Sequence, residues 1–353
     1  MPMPTPNDGE RYEEFIDRCM EDGAMNEEFE DAAQRRAVCE GQWDKSKDGA
    51  KSQLRYSRVV SYVLNTPWAI TTEKLAVIMD LLRFRALGGR LTAEEIEERI
   101  GAVQRPQERT VQRVRVLPMY GVIAQRAPLM AESSGGTSIE RFTVRFREAI
   151  ADPGIGAVVL DVDSPGGAVS GVEELSAEIY RARGAKPIVA VANSLAASAA
   201  YWIASAADEL AITPSGEVGS IGVFAAHEDW SRALDAEGIT VSLIAAGKYK
   251  TEGNPYQPLT EEARAAVQGR VDEYYGMFTK TVARNRKTPV ATVREGFGQG
   301  RVVGAREALD LGMVDSIETL DDILARVVRG QSRGRARAEE IEYRKRRLRA
   351  AIW

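Results

Sequence analysis

The chain has 353 residues, with 44% hydrophobic and 28% charged residues, a formal net charge of −5 and one histidine. That length builds one sizeable domain with appendages, or two small domains, and so mild a charge gives no global field for nucleic acid or a membrane surface. With His227 alone, hydrolases built on several histidine metal ligands are excluded, and a Ser-His-Asp or Cys-His mechanism would have to run through that residue.

Residues 1–52 are acidic, polar and poor in aromatics. They open on Met1-Pro2-Met3-Pro4 and show no signal-peptide pattern. Phe15, Cys19, Phe29, Val38, Cys39 and Trp43 fall at loosely helical spacing, predicting one or two short helices in a partly disordered segment. Cys19 and Cys39 match no zinc spacing and argue against a disulfide framework, which suits a reducing compartment. Residues 53–109 read as a helical leader and linker. Val59, Tyr62 and Val63 form one stripe, Asn65-Thr66-Pro67 breaks it, and Leu75, Ile78, Met79 and Leu82 form the next. Thr92 with Glu95 opens a third helix as a capping box.

From residue 110 to 328 the texture changes to alternating strands and helices. Strands are predicted at 114–117, 121–124, 157–162, 187–192, 210–212 and 241–245. Helices are predicted at 139–151, from Val172 to Ala182, at 194–207, and from Thr260, as N-cap, to Asn285. Alternation of this kind predicts an α/β fold with mainly parallel strands. The apolar stretch around Leu195 to Ala207 is too short and too rich in alanine for a membrane span. Residues 329–353 form a basic tail that reads as solvated.

Four motifs carry candidate chemistry. Asp163-Ser164-Pro165-Gly166-Gly167 follows a buried strand, and its glycines allow a tight turn with an N–H free to face an oxyanion. Alone, it is equally an ordinary strand-to-helix turn. Asn193-Ser194-Leu195-Ala196-Ala197-Ser198-Ala199-Ala200 also follows a buried strand. There Ser198 is the candidate nucleophile and Ser194 the competing serine, read as an N-cap. Gly247-Lys248-Tyr249-Lys250-Thr251 supplies lysines, and a desolvated lysine can act as a general base. Solvated lysines are the plainer alternative. Gly216-Glu217-Val218-Gly219-Ser220-Ile221-Gly222 is a glycine-dense turn with one hydroxyl that can orient an amine, or a structural turn.

These motifs in this order resemble the signal peptide peptidase A family of the ClpP/crotonase fold group, and within it the short phage-encoded capsid-assembly (prohead) proteases. The resemblance runs from about Val114 to Asp322. It implies a ClpP/crotonase-like core of repeated β-β-α units in a spiral, behind a helical N-terminal extension. It further implies Ser198 as nucleophile, Lys250 as general base, Ser220 as the hydroxyl holding the lysine, and the N–H groups of Gly167 and Ala199 as the oxyanion hole. No cofactor and no metal are expected. The implied function is a Ser-Lys endopeptidase cleaving scaffold or capsid proteins, and itself, during head maturation. The expected partners are a protein substrate, further copies of the chain and the portal, with no membrane or nucleic acid, and the expected setting is the host cytoplasm or the prohead interior. The sequence departs from the family where many members carry Ser-Gly-Gly and this chain has Ser198-Ala199-Ala200. Two alternatives stand beside this reading: a non-catalytic head-assembly component, and a crotonase-type acyl-CoA enzyme, for which no acidic base lies near Ser198. His227, between Ala225-Ala226 and Glu228-Asp229, reads as a surface residue and not a triad member.

Overall fold

The structure is a computed structural model that describes residues 4–7, 10–29, 31–43, 67–72, 74–76, 79, 107–126, 136–236 and 238–330. The leader helices expected at 53–66 and 80–106 and the basic tail after residue 330 lie outside the described residues. The chain divides into two compact units, one of residues 1–63 with 76–96, the other of 64–75 with 97–353.

In the first unit, helices α1 (Tyr12–Glu21) and α2 (Gly23–Glu28) are followed by α3 (residues 32–43). Asp22 caps α2, its side chain accepting from the backbone N–H groups of Ala24 and Met25. Phe15, Ile16, Cys19, Met25 and Cys39 make a small buried core. Cys19 and Cys39 are disulfide-bonded, with Cα atoms 6.0 Å apart, which corrects the expectation drawn from cysteine count. The absence of a many-cysteine framework does not exclude one bridge. The buried faces of α1 and α3 bring both thiols within the distance a bridge requires.

The second unit is α/β. Strands β1 (Trp68–Ile70), β2 (Arg109–Val111), β3 (Val114–Tyr120), β4 (Ile123–Ala124) and β5 (Thr137–Ser138) lead into helix α4 (Ile139–Ala151). Next come β6 (Ala157–Ser164), β7 (Gly166–Ala168), α5 (Val172–Ala182), β8 (Ile188–Ala197) and α6 (Ala199–Ala204). They are followed by β9 (Glu209–Ile212), β10 (Glu217–Gly219), α7 (Ser231–Ala236), α8 (Glu261–Arg286) and α9 (Val290–Gly296). Finally come β11 (Val302–Gly304), α10 (Ala305–Asp310), β12 (Ser316–Ile317) and α11 (Leu320–Val328). The main sheet runs in the order β11-β10-β8-β6-β3-β2, with β9 beside β8 and β12 beside β9. The pairs β3–β6, β6–β8, β8–β9 and β8–β10 are parallel. A smaller sheet runs β1-β7-β4-β5. A long strand, a short strand and a helix therefore recur as β3-β4-α4 and β6-β7-α5, and the expected α/β class holds.

Both faces of the main sheet are covered, which explains its uninterrupted apolar strands. On one face Val158, Leu160 and Val162 pack against Phe142 and Phe146 of α4 and Leu175 and Ile179 of α5. On the other, Val159, Val189 and Val191 meet Ile323, Leu324 and Val327 of α11. Trp202 of α6 stacks on Phe278 of α8 with ring centroids 4.4 Å apart, and the buried Arg326–Glu209 ion pair ties α11 to β9.

Three expectations change. The helix expected at 194–207 begins only at Ala199, because Leu195, Ala196 and Ala197 pair with Glu217, Val218 and Gly219 and so extend β8. Small residues leave such a stretch without a strong local preference, and the ladder decides it. Residues 241–245 form no strand and are largely exposed, with Ile244 99% accessible; an apolar run becomes a strand only where a partner edge is offered. Trp68–Ile70, placed in the helical leader by its flanking pattern, is a buried strand.

Candidate active site

Ser198 sits at the junction between β8 and α6 with φ 56° and ψ −119°. A non-glycine residue at positive φ is strained, and such strain persists where the surroundings over-determine it. Here the Ser198 N–H donates to the Gly219 carbonyl (2.7 Å), and the Trp202 N–H donates to the Ser198 carbonyl (2.9 Å). Its hydroxyl lies 3.5 Å from the Gly222 carbonyl oxygen. The residue is buried. Ser194 is instead an exposed strand residue whose hydroxyl lies 3.5 Å from Asp163, and it caps no helix.

The two-glycine turn lies against this serine. The Ser164 hydroxyl donates to the Gly121 carbonyl (2.6 Å) and accepts the Gly166 N–H (3.1 Å), which bends the chain from β6 into β7. Gly166 has φ +97°, and a Cβ there would stand 2.2 Å from the Ala69 carbonyl oxygen and 3.0 Å from Ser198 Cβ. A Cβ on Gly167 would stand 1.8 Å from the Ile123 carbonyl oxygen. Close backbone approach thus demands both glycines, which an ordinary turn would not. Ala199 is the first residue of α6 and Ala200 the second, both fully buried. Helical backbone suits alanine, so this geometry does not need the glycines found there in many family members.

Ser220 directly follows the Gly219 that receives the Ser198 N–H. It has φ 51° and donates its own N–H to the Arg301 carbonyl (2.7 Å). The structure therefore gathers Ser198, Ala199, Gly167 and Ser220 around the ends of β7, β8 and β10. Lys250 is not brought to them. It is exposed, its N–H closes a turn onto the Gly247 carbonyl (3.1 Å), and no hydrogen bond joins its ammonium to Ser198 or Ser220. Neighbouring Lys248 pairs with Glu262 at 3.0 Å. His227 places Nε2 3.2 Å from the Asn254 carbonyl oxygen.

One polar cluster escaped sequence reasoning. Asp161 is buried within β6, where it accepts from the Tyr120 hydroxyl (2.6 Å) and from Asn193 Nδ2 (3.0 Å). Burial pushes its carboxyl above the ordinary aspartate range, against the lowering effect of those two donors. Asp163 accepts the Leu195 N–H at 3.3 Å. Together the two acids brace residues 193–195, the approach to Ser198. The signal was an acid inside an apolar run, which the burial pattern alone read as continuous strand.

A cavity of about 1030 Å³ opens beside this region, lined among others by Pro67, Phe224, His227, Tyr249, Val267 and Val271. Among the described residues no cluster of His, Cys, Asp and Glu could hold a metal ion, and no helix is long and apolar enough to cross a membrane.

Comparison with known proteins finds the chain similar to peptidases. Residues 181–332 match peptidase family S49. The capsid assembly protease C of Escherichia phage lambda is 33% identical over 60% of this chain and 48% of its own length. The head-tail preconnector protein GP5 of Enterobacteria phage P21 is 31% identical over 65% of this chain and 46% of its own. A signal peptide peptidase SppA assignment in Enterococcus faecium is 28% identical over 59% and 60%. The chain spans about half the length of the phage relatives it matches. Among solved structures, a 1510-N membrane-bound stomatin-specific protease variant aligns over 60% of this chain and 82% of its own, with 15% identity and a TM-score of 0.36. ClpP1 of Listeria monocytogenes aligns over 58% and 92%, with 16% identity and a TM-score of 0.37.

Proposed function

Starting from the match of residues 181–332 to peptidase family S49, we propose that this chain is a serine endopeptidase with Ser198 as nucleophile and Lys250 as general base. The observation that carries the proposal is Ser198 held at positive φ, buried, and pressed against a two-glycine turn that tolerates no side chain. Ser198 Oγ attacks a peptide carbonyl while the Lys250 amine takes its proton and later returns it to the leaving amine. Water then hydrolyses the acyl-enzyme. The Gly167 and Ala199 N–H groups serve the oxyanion, and Ser220 orients the lysine.

Such a lysine must first lose its solvation, because an exposed ammonium is a poor base. The reading therefore includes a step in which the exposed segment around Lys250 orders against Ser198, within one chain or from a second copy. The proposed substrates are capsid or scaffold proteins, in keeping with the phage relatives, and portal contact and a location in the host cytoplasm or forming head belong to the same proposal.

The test is cleavage of a co-expressed scaffold or capsid protein, followed by mass spectrometry, with the wild-type chain, Ser198→Ala and Lys250→Ala. Either substitution alone should abolish cleavage. Restored cleavage on mixing the two inactive variants would assign the lysine to a second copy. Cleavage that survives Ser198→Ala would overturn the assignment.

A further inference from the structure

We propose that residues 67–71 of this chain occupy the groove through which an extended peptide reaches Ser198, and hold that groove closed. The inference rests on the endopeptidase reading above.

Backbone register carries the argument. Strand β1 pairs antiparallel with β7, Ala69 opposite Gly167. The Thr71 N–H donates to the Pro165 carbonyl (3.1 Å) and the Val169 N–H to the Pro67 carbonyl (3.4 Å). Hydrogen-bonded pairs alternate along an antiparallel ladder, so Ala69 and Gly167 form the bonded pair between those two. The Gly167 N–H therefore faces the Ala69 carbonyl. That is the donor proposed for the oxyanion, and it cannot serve an incoming substrate while Ala69 holds it.

The other edge of the segment is also taken. The Trp68 N–H donates to the Phe224 carbonyl (2.8 Å), and the Phe224 N–H donates to the Trp68 carbonyl (3.0 Å). Residues 67–71 thus run between the oxyanion strand and the chain that leaves Ser220, held by main-chain bonds from both sides. The Ala69 carbonyl oxygen and Ser198 Cβ crowd the same point at Gly166, 2.2 and 3.0 Å from where its Cβ would stand. Trp68, Ala69 and Ile70 are 1%, 0% and 3% accessible. A strand bonded along both edges, with a small residue beside the nucleophile, is how an extended peptide is recognised by its main chain. Here the occupant comes from the same polypeptide, at an effective concentration that a free substrate must exceed.

The test uses the full-length chain in a Ser198→Ala background and a fluorescent peptide of residues 65–72, Asn-Thr-Pro-Trp-Ala-Ile-Thr-Thr. Trp68→Ala removes the buried side chain of the occupant. Ala69→Pro removes the N–H facing the Gly167 carbonyl, and serves as a second variant if the first does not fold. Fluorescence anisotropy should show the peptide binding at least about tenfold more tightly to either folded variant than to the chain with its own leader intact. With Ser198 restored, the same substitutions should raise turnover of a fluorogenic extended peptide by a similar factor, and free 65–72 peptide should suppress the gain. Equal binding to intact and altered leaders, or binding to none, would overturn the proposal. Binding confined to the altered leaders with no hydrolysis by any variant would leave the blocked groove standing and remove the endopeptidase reading.

Discussion

Around Ser198 the chain is buried and hydrogen-bonded at each neighbouring turn, whereas residues 239–258, which carry Lys250, are irregular and largely exposed. Ser198 inherits its place from β8, a strand inside a sheet covered on both faces. The lysine segment pairs with no strand and presents Leu243, Ile244, Tyr249 and Tyr256 to solvent. Pre-organising a strained serine requires surroundings that over-determine it, while a general base needs only to arrive desolvated. One half of the proposed dyad is therefore built into the core, and the other lies on an exposed, irregular segment.

This contrast can be broken in several ways. Ser198→Ala should lower peptide hydrolysis by at least about 10³-fold, measured as initial rate, with little change in thermal unfolding because its hydroxyl makes one long contact. Lys250→Met should lower hydrolysis nearly as far and shift unfolding by less than about 0.5 kcal/mol, since its side chain is solvated. A large loss of stability in that variant would mean the segment is already packed.

Glycine substitutions sharpen the same comparison. Gly167→Ala should cost about 3 kcal/mol or more by denaturant unfolding, because its new methyl meets the Ile123 backbone. Gly253→Ala, at φ +69° in the lysine segment with nothing within 4 Å, should cost only the backbone strain of about 1 kcal/mol. Near-equal costs would erase the distinction between the two regions.

The smallest expected effect concerns pH. Burial raises the Asp161 carboxyl above its ordinary value of 3.8, so the folded state holds that proton more tightly than the unfolded chain. Its contribution to stability is complete below that value and is lost as pH rises through the folded pKa. Asp161→Asn should flatten that part of the stability profile, measured by urea unfolding from about pH 4 upward, while sparing an acceptor for the Tyr120 hydroxyl. An unchanged profile would place the pH dependence elsewhere.

Much of the α/β unit was legible in its residues. The helix from Ile139 to Ala151 and the helix behind the Thr260 cap stand where they were expected, and the Ser138 and Thr260 side chains both accept from the first turn. The strands at 157–164 and 188–197 follow from apolar runs too long to be exposed. Their ends were not legible. Residues 194–197 have a composition that serves helix or strand, and the β10 ladder chose strand. Residues 241–245 have a strand's composition and no edge to join. The Cys19–Cys39 bridge depended on which helix faces meet, a three-dimensional fact that cysteine count does not contain.

By itself the sequence determined the residue types available: a serine after two alanines, lysines downstream, two adjacent glycines after a buried strand, and a single histidine. These are local properties of residue type and spacing. Only the tertiary structure decided which backbone segments lie beside Ser198. Residues 67–71 set three apolar positions between a proline and a threonine, and nothing local marks them as a strand. Their pairing with Gly167 and Phe224 arises from contacts about a hundred residues and more away in the chain. Main-chain hydrogen bonds carry no side-chain signature, so the strand paired with Gly166 and Gly167 was visible only once the chain had folded.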